Sequence, residues 1–377
     1  MTPLCIVILS GKLPADATAT AIEVLQNRGF EVFAERPLSG LAAELVPEHF
    51  LPGGRALVAF NVLMSATVTK KNRAFADFEV EKAAHLLANT LRDAPDQLRA
   101  TEDAALAEAL ARDLLAPEEF ESLDAVIASR RAEMATDLPV VADLSRFKYR
   151  AKVELVMWNG QKAVKKTFRR TALSAMAREL AFCDDLALHS DVPPRILERT
   201  ENAIIFECIE DLLKIRRFLG FRLPIPLRLS HVRELADFVR LVVDRGWDPI
   251  DLTPRDNILI DGKTGRLRAI DFEFAHRRDV PVSAEESYFI SGVPEGVAVA
   301  GPLNQEMDQT PYPGKWRPFT GLSKKSFLYS PAWLQMIERM LVHPIWLTVR
   351  TAGALLRRRR HATDRDSLLE AMVLRQR

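Results

Sequence analysis

Three residues stand out as candidates for chemistry: Asp251, Asn257 and Asp271, all within DLTPRDNILIDGKTGRLRAIDFEFA, residues 251–275. Two short apolar runs, one of them Ile258-Leu259-Ile260, flank the turn Asp261-Gly262-Lys263-Thr264-Gly265. Such a pattern predicts a β-hairpin. Asn257 starts it and Asp271 ends it, so both can face one cleft. Carboxylates and a side-chain amide offer hard oxygen ligands. Mg²⁺ commonly takes one or two carboxylates together with phosphate oxygens. Phosphoryl transfer is mostly positioning and charge stabilisation, so an acid, an asparagine and a second acid at this spacing suit it.

The elements that must position these residues begin near residue 140. KVELVMWNG and QKAVKKTFR form a hairpin at Asn159-Gly160, a dipeptide that favours a two-residue turn. A helix is predicted over 171–188. PRILERTENAIIFECIED then supplies two more strands that turn near Glu201-Asn202. A helix over 228–245 leads into the acidic hairpin.

This order of elements resembles the protein-kinase-like superfamily from about 140 to 275, a little over a third of the chain. Residues 251–275 resemble its D-L-x-x-x-N and D-F-G loops. With Glu273 where protein kinases have glycine, IDFEFA is more similar to the IDFE segment of choline and aminoglycoside phosphotransferases. No A-P-E segment follows. The resemblance implies an α+β, two-lobed fold with ATP and Mg²⁺ as cofactors. It implies that Asp251 accepts the proton of the attacking hydroxyl and that Asn257 and Asp271 ligate metal. The Asp251–Asn257 spacing is six where the family has five, and Pro249 stands where many members have His. Asp248 and Asp256 therefore remain alternatives to Asp251.

The family also places a lysine on its third strand and a glutamate on the next helix, which here implies Glu179. Either Lys165 or Lys166 faces the cleft, because side chains alternate along a strand. Lys166 shares its face with Val164 and Phe168, an inward-looking set, and is preferred. Lys165 stays open because Ala163-Val164-Lys165 resembles the family's A-x-K. Backbone groups of Glu207 to Ile209 would meet the adenine edge. The stretch that should carry a glycine-rich phosphate loop, ADLSRFKYRAK, has no glycine. Either Ser145, Lys148 and Arg150 substitute, or nucleotide binding is weak or lost.

The chain has 377 residues, which predicts more than one domain. The expected division is 1–138, a small α/β and helical domain, then 139–330, the phosphotransferase domain, then 331–377, C-terminal helices. In the first part, 4–9, 31–34 and 56–60 are expected strands, and 16–28, 76–93, 101–114 and 117–135 expected helices. Lys and Arg number 52 against 51 Asp and Glu, which argues against a nucleic-acid partner. Cys5, Cys183 and Cys208 have neither disulfide nor metal spacing. Neither a secretory signal nor a membrane span is evident, so a cytoplasmic location is expected.

The glycine- and proline-rich stretch 291–321 reads as a long, substrate-binding loop. Residues 330–360 are apolar to amphipathic and end in Arg357 to Arg360. They read either as core-packing helices with a solvated end or as a surface helix touching the anionic inner face of a membrane. The expected activity is phosphorylation of a hydroxyl on a sugar, a lipid-linked glycan or another small molecule. The alternatives are a Ser/Thr protein kinase and an inactive kinase-like scaffold.

Overall fold

The computed structural model describes residues 4–39, 46–63, 69–70, 73–74, 87–88, 90, 97–101, 104–145, 148–212, 227–254, 256–297, 299, 309–346 and 348–349. The chain is a mixture of helices and antiparallel sheets divided into two compact units. One is drawn from Met1–Cys183, Pro194–Cys208 and Val299–Glu306, the other from Asp184–Pro193, Ile209–Ala298 and Met307–Arg377.

The first unit opens with a four-stranded sheet ordered β2-β3-β1-β6. Its strands are β1 (Leu4–Leu9), β2 (Glu31–Pro37), β3 (Arg55–Phe60) and β6 (Leu98–Ala100), and a two-residue ladder joins β4 (Thr69–Lys70) to β5 (Arg73–Ala74). β3 lies antiparallel between β1 and β2. Every residue of β1 is buried. Leu4, Ile6 and Ile8 pack with Leu110 of α2 (Ala104–Leu114) and with Leu123 and Ile127 of α3 (Pro117–Glu133). Cys5, Val7 and Leu9 pack with Ala21, Val24 and Leu25 of α1 (Ala17–Asn27). A continuous apolar run is what a strand covered on both faces requires. Burial pushes the Cys5 thiol up to about 12, so it behaves as an inert core residue.

A five-stranded antiparallel sheet ordered β10-β11-β9-β8-β7 completes this unit. It comprises β7 (Val140–Asp143), β8 (Ala151–Trp158), β9 (Gln161–Phe168), β10 (Ile196–Arg199) and β11 (Ala203–Glu207), with α4 (Leu173–Leu186) inserted after β9. The β8–β9 turn has φ of 47° at Asn159 and 77° at Gly160, the left-handed pair that this dipeptide supplies. Arg169 ties the two sheets together. Its guanidinium donates to Asn61 Oδ1 at 2.7 Å and to the Lys148 carbonyl at 3.0 and 2.9 Å. Burial lowers its pKa to about 10. A Cβ on Gly29 would stand 2.7 Å from the Tyr149 carbonyl oxygen, so only glycine fits that contact.

The second unit is centred on α5 (Leu229–Asp244), which buries Val232, Leu235, Ala236, Phe238, Val239, Val242 and Val243. Two small ladders come after it in the chain. β12 (Trp247–Pro249) pairs with β15 (Ala275–Arg277), and β13 (Ile258–Ile260) pairs with β14 (Leu267–Ala269). Short helices α6 (Tyr288–Ser291), α7 (Tyr312–Lys315), α8 (Arg317–Thr320), α9 (Lys324–Tyr329) and α10 (Ala332–Ile337) come next. The described part of the expected loop 291–321 is therefore partly helical. Trp316 is fully buried there and donates from its indole to the Phe289 carbonyl at 3.1 Å. An aromatic chain runs from Trp316 through Phe289 and Phe238 to Phe272.

Candidate functional site

In the first unit the site residues arise from strand alternation meeting a helix face. Lys166 pairs in register with Val153 and Ile204 inside the sheet. Its Nζ lies 2.8 Å from the Glu179 carboxylate, and both side chains are at least nine-tenths buried. Glu179 sits three residues from Met176 and three from Phe182, so it belongs to the inward stripe of α4. Lys165 points the other way and donates to Thr136 Oγ1 at 2.9 Å. Lys166, not Lys165, is thus the lysine brought to Glu179. Burying two charges costs several kcal/mol per ion, and their attraction often fails to repay it, so such a pair is weak support for a stability role.

Side-chain ties close the turn between β7 and β8. Ser145 Oγ accepts from the Val153 N–H at 2.9 Å, and Lys148 Nζ reaches Asp143 at 2.5 Å. Ser145 and Lys148, one of the two alternatives for a phosphate loop without glycine, are engaged within their own turn. The Glu207 N–H donates to the Arg195 carbonyl at 3.0 Å and its carboxylate accepts from the Arg195 N–H at 2.9 Å. Ile209 is half-buried just beyond β11, in the second unit.

In the second unit the β13–β14 hairpin carries the acids. The Ile270 N–H donates to the Asn257 carbonyl at 2.9 Å, which joins the two ends of the hairpin. Phe272 anchors the chain beyond the hairpin by packing edge-on against Phe238, with ring centres 6.4 Å apart. Asp271, between Ile270 and Phe272, is exposed and has φ of 73°. A left-handed conformation is uncommon for a residue other than glycine, and such strain concentrates at functional positions. Carboxylate oxygens of Asp271 and Glu273 lie within 4.8 Å of each other. That donor set fits a hard divalent cation.

Asn257 is arranged differently. Its Oδ1 accepts from the Thr253 N–H at 2.7 Å and the Thr253 hydroxyl at 3.1 Å. Those bonds close the 253–257 loop and occupy the oxygen that a metal would need. Asp251 is half-buried, between buried Ile250 and Leu252. Of the two alternatives to it, Asp256 is exposed. Asp248 is fully buried and accepts from Arg278 Nε at 2.9 Å, Ser287 Oγ at 2.8 Å, and the N–H groups of Tyr288 and Phe289, both at 2.9 Å. It pins β12 to the start of α6 and is structural. In the sequence Glu273 is conspicuous only as a missing glycine. Its partnership with Asp271 arises from a turn that the residue types alone do not specify.

A cavity of about 330 Å³ in the same unit is lined by Ser291, Tyr312, Arg317, Ser323 and Lys324 among others. Lys324 Nζ donates to the Glu285 carbonyl at 2.8 Å and so helps to frame the opening. No known family model matches the chain, and no curated protein does.

Proposed function

We propose that the chain is an ATP- and Mg²⁺-dependent phosphotransferase acting on a hydroxyl of a sugar, a lipid-linked glycan or another small molecule. The observation that carries this reading is the buried Lys166–Glu179 pair at 2.8 Å, one lysine selected from two by strand register. A carboxylate that fixes a lysine amine is what a phosphate-binding lysine needs, because the amine is then pre-organised at no cost during the reaction. Asp271 and Glu273 would hold the cation, which would neutralise phosphate charge. Asp251 would take the proton from the acceptor hydroxyl. Asn257 would act by shaping the 253–257 loop.

Thermal melting of the purified chain with ATP and Mg²⁺ tests this. Saturating nucleotide at about a hundredfold over its Kd adds roughly 2.7 kcal/mol of stability, which is a shift of several degrees. No shift in any nucleotide–metal combination would oppose the reading. A second reading, a kinase-like scaffold without catalysis, is favoured by the Ser145-tied turn and the engaged Asn257 oxygen. It predicts neither nucleotide binding nor ATP turnover.

A further inference from the structure

The cavity of about 330 Å³ in the second unit draws its lining from three short helices: Ser291 ends α6, Arg317 begins α8 and Lys324 begins α9. Among the described residues that line it, two are cations and none is an acid. Arg317 is the less usual of the two. Its side chain is only 17% exposed, and its Nε is buried with no acceptor. The Glu338 carboxylate stands 3.9 Å from Arg317 Nη2, beyond hydrogen-bond reach. The oxygens of Glu338 accept instead from the Ser323 N–H at 2.7 Å and the Ser323 hydroxyl at 3.3 Å. A guanidinium does not shed its charge, and native structures rarely leave so covered a donor unmet. Its acceptor therefore comes from outside the chain. The guanidinium carbon lies 4.7 Å from the centre of the Trp346 ring, and that stacking fixes the plane of its N–H fork. Lys324 Nζ donates to the Glu285 carbonyl at 2.8 Å and to Ser291 Oγ at 3.2 Å. Both acceptors are neutral oxygens, which leaves the positive charge for a ligand. Of the acids nearby, Glu286 is tied to Ser283, accepting from its N–H at 3.1 Å and its hydroxyl at 2.8 Å.

We propose that this cavity binds a small organic phosphate by its phosphate group. Two cations that share no acid match a dianion better than a single carboxylate does. The planar fork of Arg317 suits two phosphate oxygens at once, Lys324 adds a point charge, and the Ser291 and Ser323 hydroxyls are at hand in the same lining. The volume lies at the small end of ligand pockets, which span about 300–1,000 Å³, and it exceeds what a phosphate alone fills. Pro311 and Pro313 give the remaining carbon atoms a rigid apolar wall. None of these residues is among those assigned to nucleotide, metal or proton transfer, so the proposal stands on observations separate from the phosphotransferase reading.

Phosphorus NMR of inorganic phosphate titrated with the full chain tests it, in EDTA and at an ionic strength held constant with chloride. The chelator keeps divalent cations away from Asp271 and Glu273, so metal-held phosphate does not contribute. The wild type is expected to broaden the phosphate resonance saturably. Glycerol 3-phosphate should displace the ion, whereas glycerate, a carboxylate on a similar skeleton, should not. Arg317→Met and Lys324→Gln should each weaken binding by about tenfold or more, because each removes charge-assisted hydrogen bonds. Arg317 donates no hydrogen bond within the described protein, so Arg317→Met should melt no lower than the wild type in phosphate-free buffer. That separates lost binding from misfolding. Three results would overturn the proposal: no saturable broadening by the wild type, equal binding by Arg317→Met, and glycerate that competes as well as glycerol 3-phosphate. The last would assign the cavity to carboxylates.

Discussion

Asp248 and Asp271 belong to the same unit and come from neighbouring stretches of chain, yet the fold treats them oppositely. Asp248 is wholly buried, and a guanidinium, a hydroxyl and two backbone N–H groups converge on it. Its charge is consumed in joining β12 to α6. Asp271 is exposed on a left-handed backbone, next to Glu273, with its neighbour Phe272 locked into the aromatic core. An acid satisfied from every side is architecture. An acid presented to solvent in a strained conformation by a rigid neighbour is suited to a ligand. Residue type alone would not separate the two.

The largest effect expected from this contrast is on stability. Asp248→Ala leaves the Arg278 guanidinium without its carboxylate in a largely buried setting and takes an acceptor from the Ser287 hydroxyl and from the Tyr288 and Phe289 N–H groups at the start of α6. The loss should be roughly 3–5 kcal/mol, a large share of the stability of an ordinary domain. Denaturant unfolding would measure it. A loss below about 1 kcal/mol would mean that Asp248 does not join β12 to α6.

The lysine pair sharpens the same distinction in the first unit. Lys166→Met strands the Glu179 carboxylate in the interior and should both destabilise the unit and abolish transfer. Glu179→Gln added to it should recover stability without recovering transfer. Lys165→Met removes one hydrogen bond to Thr136, costs about 1 kcal/mol, and should leave transfer near the wild-type rate. Reversed ranking of the two lysines in a steady-state assay would contradict the assignment.

A smaller effect is expected at His343. Burial, then the nearby Arg317 and Arg339 guanidiniums, hold its pKa below the ordinary imidazole value, with Glu338 opposing them weakly. As pH falls through about 6.5, the unfolded chain takes up a proton that the folded chain resists. Stability contributed at neutral pH is therefore lost on acidification. His343→Phe should remove this residue's share of that loss, seen as a shallower fall in melting temperature between pH 7 and pH 5. An unchanged slope would mean that His343 titrates normally.

Much of the scaffold was legible in the sequence because its signals are local. The Asn159-Gly160 turn, the continuous apolar run of β1 and the single apolar stripe of α5 each come from a short pattern, and the structure has all three. The three-residue strands β6, β12 and β15 were missed, since so short a segment has no measurable period. Packing of Trp316 beneath Phe289 was hidden within a glycine- and proline-rich stretch that reads as open loop. At the candidate site, residue alternation singled out Lys166 as the preferred lysine, and register decides which partner each lysine meets. The satisfaction of Asp248, Asn257 and Ser145 could not be read ahead, because their hydrogen-bond partners are set by tertiary contacts. Whether the apolar side of α10 meets the core or solvent stayed open between two readings, and the described residues have it outward. Helical spacing defines two faces but not which one meets the protein.

Titration calorimetry of Mg²⁺-ATP into the wild type and Asp271→Asn, with the melting temperature of each recorded alongside, tests the phosphotransferase account most directly. The account predicts binding by the wild type that requires Mg²⁺, and at least a tenfold loss in Asp271→Asn with no fall in melting temperature. Equal Mg²⁺-dependent binding by both proteins, or none by the wild type, would contradict it.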